Sequence, residues 1–262
     1  MEWRKTEERS LKFFRNKVSK QLAVFPSPLA ADCLLFLPMN FFSNRKIVQS
    51  EDGSSTIFIP EINQHYHSIH GALQESRHVF MKMGWDVVAE KQNEISILEI
   101  GFGTGLNAFL VLEECLCDEA KKVFYSSIEN YPLSLEDAKQ LNYASDDLQQ
   151  KIFLKLHEVE WNIEMKITEN YFLKKIQMKL EDFISEQNKF NLIFFDAFSP
   201  EAQPELWTKE IFEKLYLSMK NDGILVTYCA KGQVRRNMIA AGFSIERLEG
   251  PPGKREMLRA RK

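Results

Sequence analysis

The chain has 262 residues, of which 44% are hydrophobic and 27% are charged, and its formal net charge is −3. This composition fits a globular protein with a sizeable core, and it excludes a collagen, a coiled coil and a wholly disordered chain. The charge argues against a protein that holds nucleic acid by overall charge alone, although residues 231–262 could form either a local basic face or a solvated surface with a few ion pairs.

The first predicted unit is an N-terminal extension over residues 1–43, which lies outside the enzyme domain and could be disordered. An apolar stretch at 22–37 resembles a signal peptide, but two prolines and Asp32 interrupt it, and it is too short to span a bilayer. A targeting role is the alternative for this extension. Met39 is our hypothesis for the natural start of the protein.

Residues 44–262 are predicted to form one domain, which begins with a hairpin and a helix over 44–94. Two apolar runs flank the Asp52-Gly53 pair, and this pattern is typical of a β-hairpin. Apolar positions at helical spacing predict a helix over 69–83, and Gly84 is expected to end it.

A core over residues 95–262 follows, in which strands and helices alternate. Five strands are predicted at 95–100, 123–128, 176–180, 192–195 and 223–228, with two closing strands at 243–248 and 256–260. Helices are predicted at 105–117, 133–141, 205–219 and 233–241, and 146–172 is expected to be helical or irregular. This alternation predicts an α/β fold of the Rossmann-like class, with a mostly parallel seven-stranded sheet and helices on both faces.

A glycine-rich loop, Gly101-Phe102-Gly103-Thr104-Gly105, follows the first core strand and precedes a helix. Glycines let the backbone turn sharply and approach a ligand closely, and the free N–H groups of the helix terminus suit a carboxylate or a phosphate. Glu129 ends the next strand, where it could accept hydrogen bonds from the hydroxyls of a ribose. These features predict a nucleoside-containing cofactor.

S-adenosylmethionine and a dinucleotide are the two candidate cofactors for this loop. A dinucleotide site usually carries a third glycine in the pattern G-x-G-x-x-G, but position 106 is Leu106. Glu99, just before the loop, could meet the ammonium group of S-adenosylmethionine and would repel a pyrophosphate. The pattern therefore favours S-adenosylmethionine and methyl transfer. A third interpretation, a tight turn without a ligand, stays open.

Asp196 directly follows the fourth core strand, in the segment Asp196-Ala197-Phe198-Ser199-Pro200. The carboxyl ends of parallel strands carry the site in open α/β sheets. A carboxylate there could orient an amine and take its proton, and Phe198 could stack on a base. The alternative is that Asp196 only caps the helix that follows.

Cysteine and histidine spacing gives no sign of a metal site. No pair of the four cysteines has CxxC spacing, so we expect free thiols in a reducing cytoplasm. No acidic or thiolate ligands accompany His65, His67, His70 and His78, which are expected to have surface or hydrogen-bonding roles.

Several segments together resemble the methyltransferase domain of the MnmC family of tRNA wobble-uridine modification enzymes and its stand-alone, MnmD-like relatives. The resemblance covers residues 47–262. It rests on the segments at 52–54, 66–68, 71–76, 99–107, 128–134, 195–200, 233–236 and 253–258, with Pro204 and Trp207.

The resemblance implies transfer of a methyl group from S-adenosylmethionine to 5-aminomethyl-2-thiouridine at the tRNA wobble position, which gives 5-methylaminomethyl-2-thiouridine. It implies Asp196 as the catalytic acidic residue. The implied cofactor-binding residues are Glu99, Gly101, Phe102, Gly103, Thr104, Gly105, Asn107, Glu129 and Asp182, with Glu181 competing with Asp182. The implied substrate-binding residues are Tyr66, Glu75, Phe198, Pro200, Lys254 and Arg255.

Two other functions remain open at this stage. One is another amine-directed transferase of the same fold, such as an aminopropyltransferase, and the other is a non-catalytic tRNA-binding module. We expect a cytoplasmic enzyme with tRNA as its partner, no membrane segment and no FAD-dependent oxidase domain in this chain.

Overall fold

The computed structural model describes residues 44–184 and 186–262. The predictions for the extension at 1–43 lie outside these residues. Two sheets are present, a small one of three strands and a large one of eight. Among the described residues, no helix is long and apolar enough to cross a membrane.

The small sheet forms the N-terminal part of the described chain. Its strands are β1 (Lys46–Gln49), β2 (Ser55–Ile59) and β3 (Gln64–His65), and the antiparallel pairing of β1 with β2 confirms the predicted hairpin. The third strand was not predicted, because two residues are too few to show an alternating pattern.

Helix α1 follows the small sheet and is longer than predicted. It begins as Ala72–Ser76, continues as a π-helical segment Arg77–Trp85 and ends as Asp86–Ala89. The prediction that Gly84 ends the helix is wrong. Gly84 lies where the helix crosses the large sheet, and a Cβ atom there would lie 3.0 Å from Val226 Cγ2 and 3.2 Å from Phe194 Cε1. The glycine therefore allows close packing and is not a helix end.

Eight strands form the large sheet, in the spatial order β10-β11-β9-β8-β4-β5-β7-β6. They are β4 (Glu94–Ile100), β5 (Lys122–Glu129), β6 (Glu164–Thr168), β7 (Tyr171–Gln177), β8 (Phe190–Phe195), β9 (Met219–Thr227), β10 (Ser244–Glu249) and β11 (Glu256–Arg261). The five central strands pair in parallel, β6 is antiparallel to β7, and β11 is antiparallel to both of its neighbours, β9 and β10. The predicted Rossmann-like α/β fold is confirmed, with one strand more than the seven expected.

The additional strand β6 and the position of β7 are the main differences from the prediction. A two-residue turn joins the two strands where a helical or irregular segment was expected, and β7 ends at Gln177 although the third strand was placed at 176–180. Lys174 and Lys175 break the apolar pattern of β7. The Lys175 side chain is nevertheless buried, donates a hydrogen bond of 2.7 Å to the His157 carbonyl oxygen and lies 4.6 Å from the Trp161 ring centre.

Helices cover both faces of the large sheet. They are α2 (Leu106–Cys117), α3 (Leu135–Ala138), α4 (Asp147–Glu158), α5 (Lys209–Ser218) and α6 (Gly232–Ala240). Successive residues of β8 alternate between the two core layers: Leu192 and Phe194 pack on the face that holds α1, α2 and α4, and Ile193 and Phe195 pack on the face that holds α5 and α6. Ser134 caps α3, since its hydroxyl accepts the Asp137 N–H at 3.1 Å.

Close packing at Gly84 predicts the effect of a larger side chain. Gly84→Val should lower the free energy of unfolding by about 1–3 kcal/mol, because the added atoms overlap Val226 and Phe194 in a packed core. The exposed neighbour Lys82 provides a matched control, since Lys82→Val puts the same β-branched residue into the same helix without a clash. Denaturant unfolding of both variants measures the difference, and equal stabilities would show that the contact is unimportant.

Candidate active site

A cavity opens at the carboxyl ends of β4, β5, β7 and β8. The sheet continues in one direction from β4 through β5 to β7 and in the other through β8 to β9, so the point where the order reverses lies between β4 and β8. Ligands of open α/β folds bind at such a point. Nine predicted site residues line the cavity: Tyr66, Gly101, Phe102, Gly103, Thr104, Asn107, Glu129, Asp196 and Phe198.

The glycine loop approaches the neighbouring strand so closely that a side chain is excluded. Gly101 has a φ of 90°, and a Cβ atom there would lie 2.8 Å from the Asp196 carbonyl oxygen. Two backbone hydrogen bonds hold the strand ends together, from Gly101 N to the Ile128 oxygen at 2.9 Å and from Asp196 N to the Ile100 oxygen at 3.0 Å. The loop and the segment that carries Asp196 therefore form one rigid edge of the cavity.

Glu129 lies opposite the glycine loop at the end of β5. One carboxylate oxygen accepts the Gly103 N–H at 3.0 Å, and the other accepts the Tyr131 N–H at 2.7 Å. These bonds fix the carboxylate on the cavity wall. Each oxygen can accept a second hydrogen bond, so the geometry suits a ligand that carries two neighbouring hydroxyl groups.

Asp196 lines the cavity and is partly buried, and Glu99 lies behind the cavity wall, fully buried. The Asn107 side-chain nitrogen donates to both, at 3.1 Å to Glu99 and 2.9 Å to Asp196, and the Ser127 hydroxyl donates to Glu99 at 2.7 Å. Burial raises the pKa of Glu99 to about 8 and that of Asp196 to about 7, and the negative charges of Asp196 and Glu75, respectively, add to this effect. Both groups are thus able to exchange a proton near neutral pH.

Two aromatic rings form the outer wall. Tyr66 and Phe198 meet edge to face, with ring centres 5.1 Å apart, although they belong to the N-terminal unit and to the segment after β8. The Trp207 ring nitrogen donates to the Phe198 carbonyl oxygen at 2.8 Å and fixes this segment. The wall can hold a flat ring against its apolar surface.

Glu75, Lys254 and Arg255 lie outside the cavity lining. Glu75 and Lys254 form an ion pair, and the Lys254 ammonium lies 3.8 Å from the centre of the Tyr228 ring. The Tyr228 hydroxyl donates to the Ala197 carbonyl oxygen at 2.9 Å. The ion pair of Glu75 and Lys254 therefore contacts, through Tyr228, the segment next to Asp196. Arg255 is exposed beside this pair.

The basic segment at 231–262 is largely neutralised by its own partners. Arg259 and Arg261 pair with Glu246, Arg247 pairs with Glu256, and Lys231 pairs with Glu201. Over much of the segment, the structure therefore agrees with the prediction of a solvated surface with ion pairs and not with that of a local basic face. Arg255 directly precedes β11, at the cavity end of the sheet.

Three other predicted site residues lie off the cavity wall. Gly105 is the residue that precedes α2, with a φ of 74°. Pro200 lines a neighbouring groove with Trp207. Asp182 is exposed and is not among the described lining residues, whereas Glu181, the competing candidate, is one of them.

Two histidines support the glycine loop: His67, for which a surface or hydrogen-bonding role was expected, and His157, which sequence reasoning missed. His67 is buried, joins the Thr104 hydroxyl through a hydrogen bond of 2.6 Å and lines the cavity. His157 of α4 contacts the Thr104 carbonyl oxygen at 3.1 Å. Burial lowers the pKa of both histidines to about 4, so both are neutral. No local pattern marks them, because their partners lie 37 and 53 residues away.

Residues that follow β7 were also missed, although the strand-end rule could have found them. Met178, Lys179 and Leu180 line the cavity beside Glu181, and Met178 N donates to the Glu129 carbonyl oxygen at 3.2 Å. The misplaced third strand concealed them. Met178 and Leu180 add an apolar surface to the cavity wall near Glu129.

S-adenosylmethionine fits the residues present. At Gly101 and Gly103, the glycine loop exposes its backbone to the cavity without side chains. At Gly103 a side chain would crowd the Tyr66 ring, because its Cβ atom would lie 3.0 Å from that ring. The Asn107 side-chain oxygen is buried on the cavity wall without a hydrogen-bond partner among the described residues. An acceptor of this kind suits an N–H donor on a ligand. Among the described residues, no cluster of histidine, cysteine or acidic side chains could hold a metal ion.

Comparison with known proteins gives consistent matches. The pattern of an S-adenosyl-L-methionine-dependent methyltransferase family matches residues 118–262. The tRNA 5-methylaminomethyl-2-thiouridine biosynthesis bifunctional protein MnmC of Leptospira interrogans is 31% identical over 211 residues, which are 74% of this chain and 32% of that protein. Its namesake from Cupriavidus metallidurans is 29% identical over 233 residues, 82% of this chain and 33% of that protein.

A solved structure extends this likeness to three dimensions. The crystal structure of MNMC2 from Aquifex aeolicus matches with a TM-score of 0.71 and 25% identity, over 84% of this chain and 70% of that chain. This chain spans about a third of the length of the curated relatives it matches.

Burial of Asp196 predicts a pH-dependent cost of folding. Its pKa rises from an ordinary 3.8 to about 7 in the folded state, so the free energy of unfolding falls as the pH rises between these values. Asp196→Asn removes this ionisation while an amide oxygen can still accept from Asn107. The variant should gain thermal stability over the wild type at pH 8 and gain little at pH 4. A stability difference that does not change with pH would contradict the assignment.

Proposed function

Because the chain belongs to the S-adenosyl-L-methionine-dependent methyltransferase family, we propose that it methylates the primary amine of 5-aminomethyl-2-thiouridine, or its non-thiolated form, at the tRNA wobble position. The product is the corresponding 5-methylaminomethyl nucleoside. The observation that carries this proposal is the partly buried carboxyl group of Asp196 on the cavity wall at the switch point of the sheet. The names of the MnmC relatives support it.

Three parts of the cavity wall would hold the cofactor. The backbone of the glycine loop lies where the methionyl end would bind, with the fully buried Glu99 behind it, and Glu129 would accept hydrogen bonds from the ribose hydroxyls. The apolar surface of Met178 and Leu180 would contact the adenine ring. When bound, the cofactor supplies a methyl group on a positively charged sulfur atom.

Asp196 would prepare the acceptor amine. A primary alkylamine has a pKa of about 10.4 and is mostly protonated at neutral pH, so its lone pair is not available. The carboxylate of Asp196 can accept a hydrogen bond from the ammonium group, orient it and take its proton. The pKa of about 7 of Asp196 makes it a stronger base than an exposed aspartate.

The aromatic wall would hold the uracil ring. Tyr66 and Phe198 present ring edges and faces at the rim of the cavity, and Phe198 lies two residues from Asp196. A base that has left the stack of an RNA loop can be held by such rings. This placement would bring the aminomethyl group toward the carboxylate.

Loss of the Asp196 carboxylate should separate binding from catalysis. We expect Asp196→Ala to lower methyl transfer to bulk tRNA from cells that lack the modification by at least about 100-fold, the lower range of general base catalysis. Affinity for S-adenosylhomocysteine should change little. Labelled S-adenosylmethionine, followed by digestion of the tRNA to nucleosides, measures the transfer.

The control for this experiment is Asp147→Ala, which removes an exposed aspartate from the first turn of α4. The Asp147→Ala variant should retain both methyl transfer and affinity for S-adenosylhomocysteine. If Asp196→Ala also retained near-normal turnover, the role given to Asp196 would be wrong. If wild-type protein labelled no nucleoside of the tRNA, the proposed function would be wrong.

Arg255 provides a test of the RNA surface. It is exposed at the cavity end of the sheet, so Arg255→Glu should weaken tRNA binding and reduce the salt dependence of log Kd by about one phosphate contact. Lys189→Glu makes the same kind of charge change just before β8, at the opposite end of the sheet, and should have a smaller effect. Equal effects in a filter-binding titration would place the RNA elsewhere.

A further inference from the structure

Asn107 occupies a position between the buried carboxyl group of Glu99 and the partly buried carboxyl group of Asp196 on the cavity wall. It is the second residue of α2, directly after the glycine loop, and its side chain is 2% exposed. Its nitrogen carries two hydrogens, and the distances of 3.1 Å to Glu99 and 2.9 Å to Asp196 use one for each carboxyl group. When both carboxyl groups are ionised, the amide can bridge them only with its nitrogen turned toward them.

This orientation leaves the side-chain oxygen of Asn107 without a partner. The oxygen is buried and accepts no hydrogen bond from any described residue, although the residue lines the cavity. A buried acceptor that stays unpaired costs free energy, so such atoms usually meet a water or a ligand. Since Asn107 lines the cavity, a ligand bound there is the candidate partner of this oxygen.

Charge around Asn107 indicates which ligand chemistry fits. Glu99, Asp196 and Glu75 are acidic, and their charges act on one another across the base of the cavity. The nearby cation Lys254 is already paired with Glu75. Asp196 and Asn107 line the cavity and carry oxygen acceptors, Glu99 adds negative charge behind them, and a positively charged N–H donor matches this arrangement.

We propose that Asn107 is a positioning residue that ties the carboxyl group of Asp196 to that of Glu99, and that its side-chain oxygen accepts a hydrogen bond from a primary amine bound in the cavity. Two ligands of the proposed reaction carry such a group: the methionyl end of the cofactor and the aminomethyl group of the acceptor nucleoside. The first source of the amine, the cofactor, rests only on membership of the family. The second source, the acceptor nucleoside, rests on the proposed function.

Calorimetry with two nucleoside probes tests the first source. S-adenosylhomocysteine carries the amine, whereas 5′-methylthioadenosine has the same nucleoside and sulfur without the amino acid. If the cofactor amine is the donor, Asn107→Leu should weaken S-adenosylhomocysteine at least about tenfold, or about 1.4 kcal/mol, and leave 5′-methylthioadenosine within about twofold. Asn107→Asp retains an oxygen acceptor and should restore much of the difference between the two probes.

A pair of RNA probes tests the second source without requiring turnover. Anticodon stem-loops with 5-aminomethyluridine or uridine at the wobble position are titrated in the presence of S-adenosylhomocysteine. If the acceptor amine is the donor, wild-type protein should prefer the aminomethyl stem-loop, and Asn107→Leu should reduce that preference at least about tenfold, or about 1.4 kcal/mol. The probe ratio within one variant is insensitive to partial unfolding.

The buried Asn191 supplies a matched control, because its side chain also accepts and donates hydrogen bonds but lies near the start of β8, away from the cavity. Asn191→Leu should lower stability and leave both ratios unchanged. The proposal is overturned if Asn107→Leu changes neither ratio, or weakens both members of each pair equally. A wild-type protein without preference for the aminomethyl stem-loop would instead count against the proposed function, and the nucleoside probes would still decide the role of Asn107.

Discussion

Two carboxyl groups from neighbouring strands share the N–H groups of one amide, and the organisation of the site depends on this arrangement. Glu99 lies in β4 and Asp196 directly follows β8, and these strands pair in register up to Ile100 and Phe195. Ionised carboxylates are costly to bury, because the protein interior solvates charge poorly. Asn107 offsets part of this cost by donating to both. The carboxyl groups thus remain acidic enough to ionise and basic enough to take a proton.

Backbone geometry makes this arrangement possible. The glycine at position 101 lets the loop pass within contact distance of the Asp196 carbonyl oxygen, which brings the first turn of α2 over the end of β8. The buried His67 and the partly buried His157 hold Thr104 from two other parts of the chain. The loop is therefore fixed before any ligand binds. A preorganised site avoids the entropic cost of ordering its groups on binding.

The sequence predicts the centre of this fold better than its edges. The carboxyl ends of strands β4, β5, β8 and β9 were predicted to within one residue, and the residues after β4 and β8 lie at the same edge of the sheet. Buried Lys175 concealed β7, since its partners His157 and Trp161 are distant in sequence. Gly84 resembled a helix end because only the packed sheet shows why it lacks a side chain. The contact between Tyr66 and Phe198 likewise depends on tertiary structure.

The central claim is that the carboxyl pair selects a primary amine on the wobble uridine. Two tRNA transcripts that differ only at this position, with 5-aminomethyluridine or uridine, test it most directly. After incubation with S-adenosylmethionine and digestion, mass spectrometry should find one added methyl group on the aminomethyl nucleoside and none on the uridine of the second transcript. Methylation of both transcripts at similar rates, or methylation only at another nucleoside, would contradict the account.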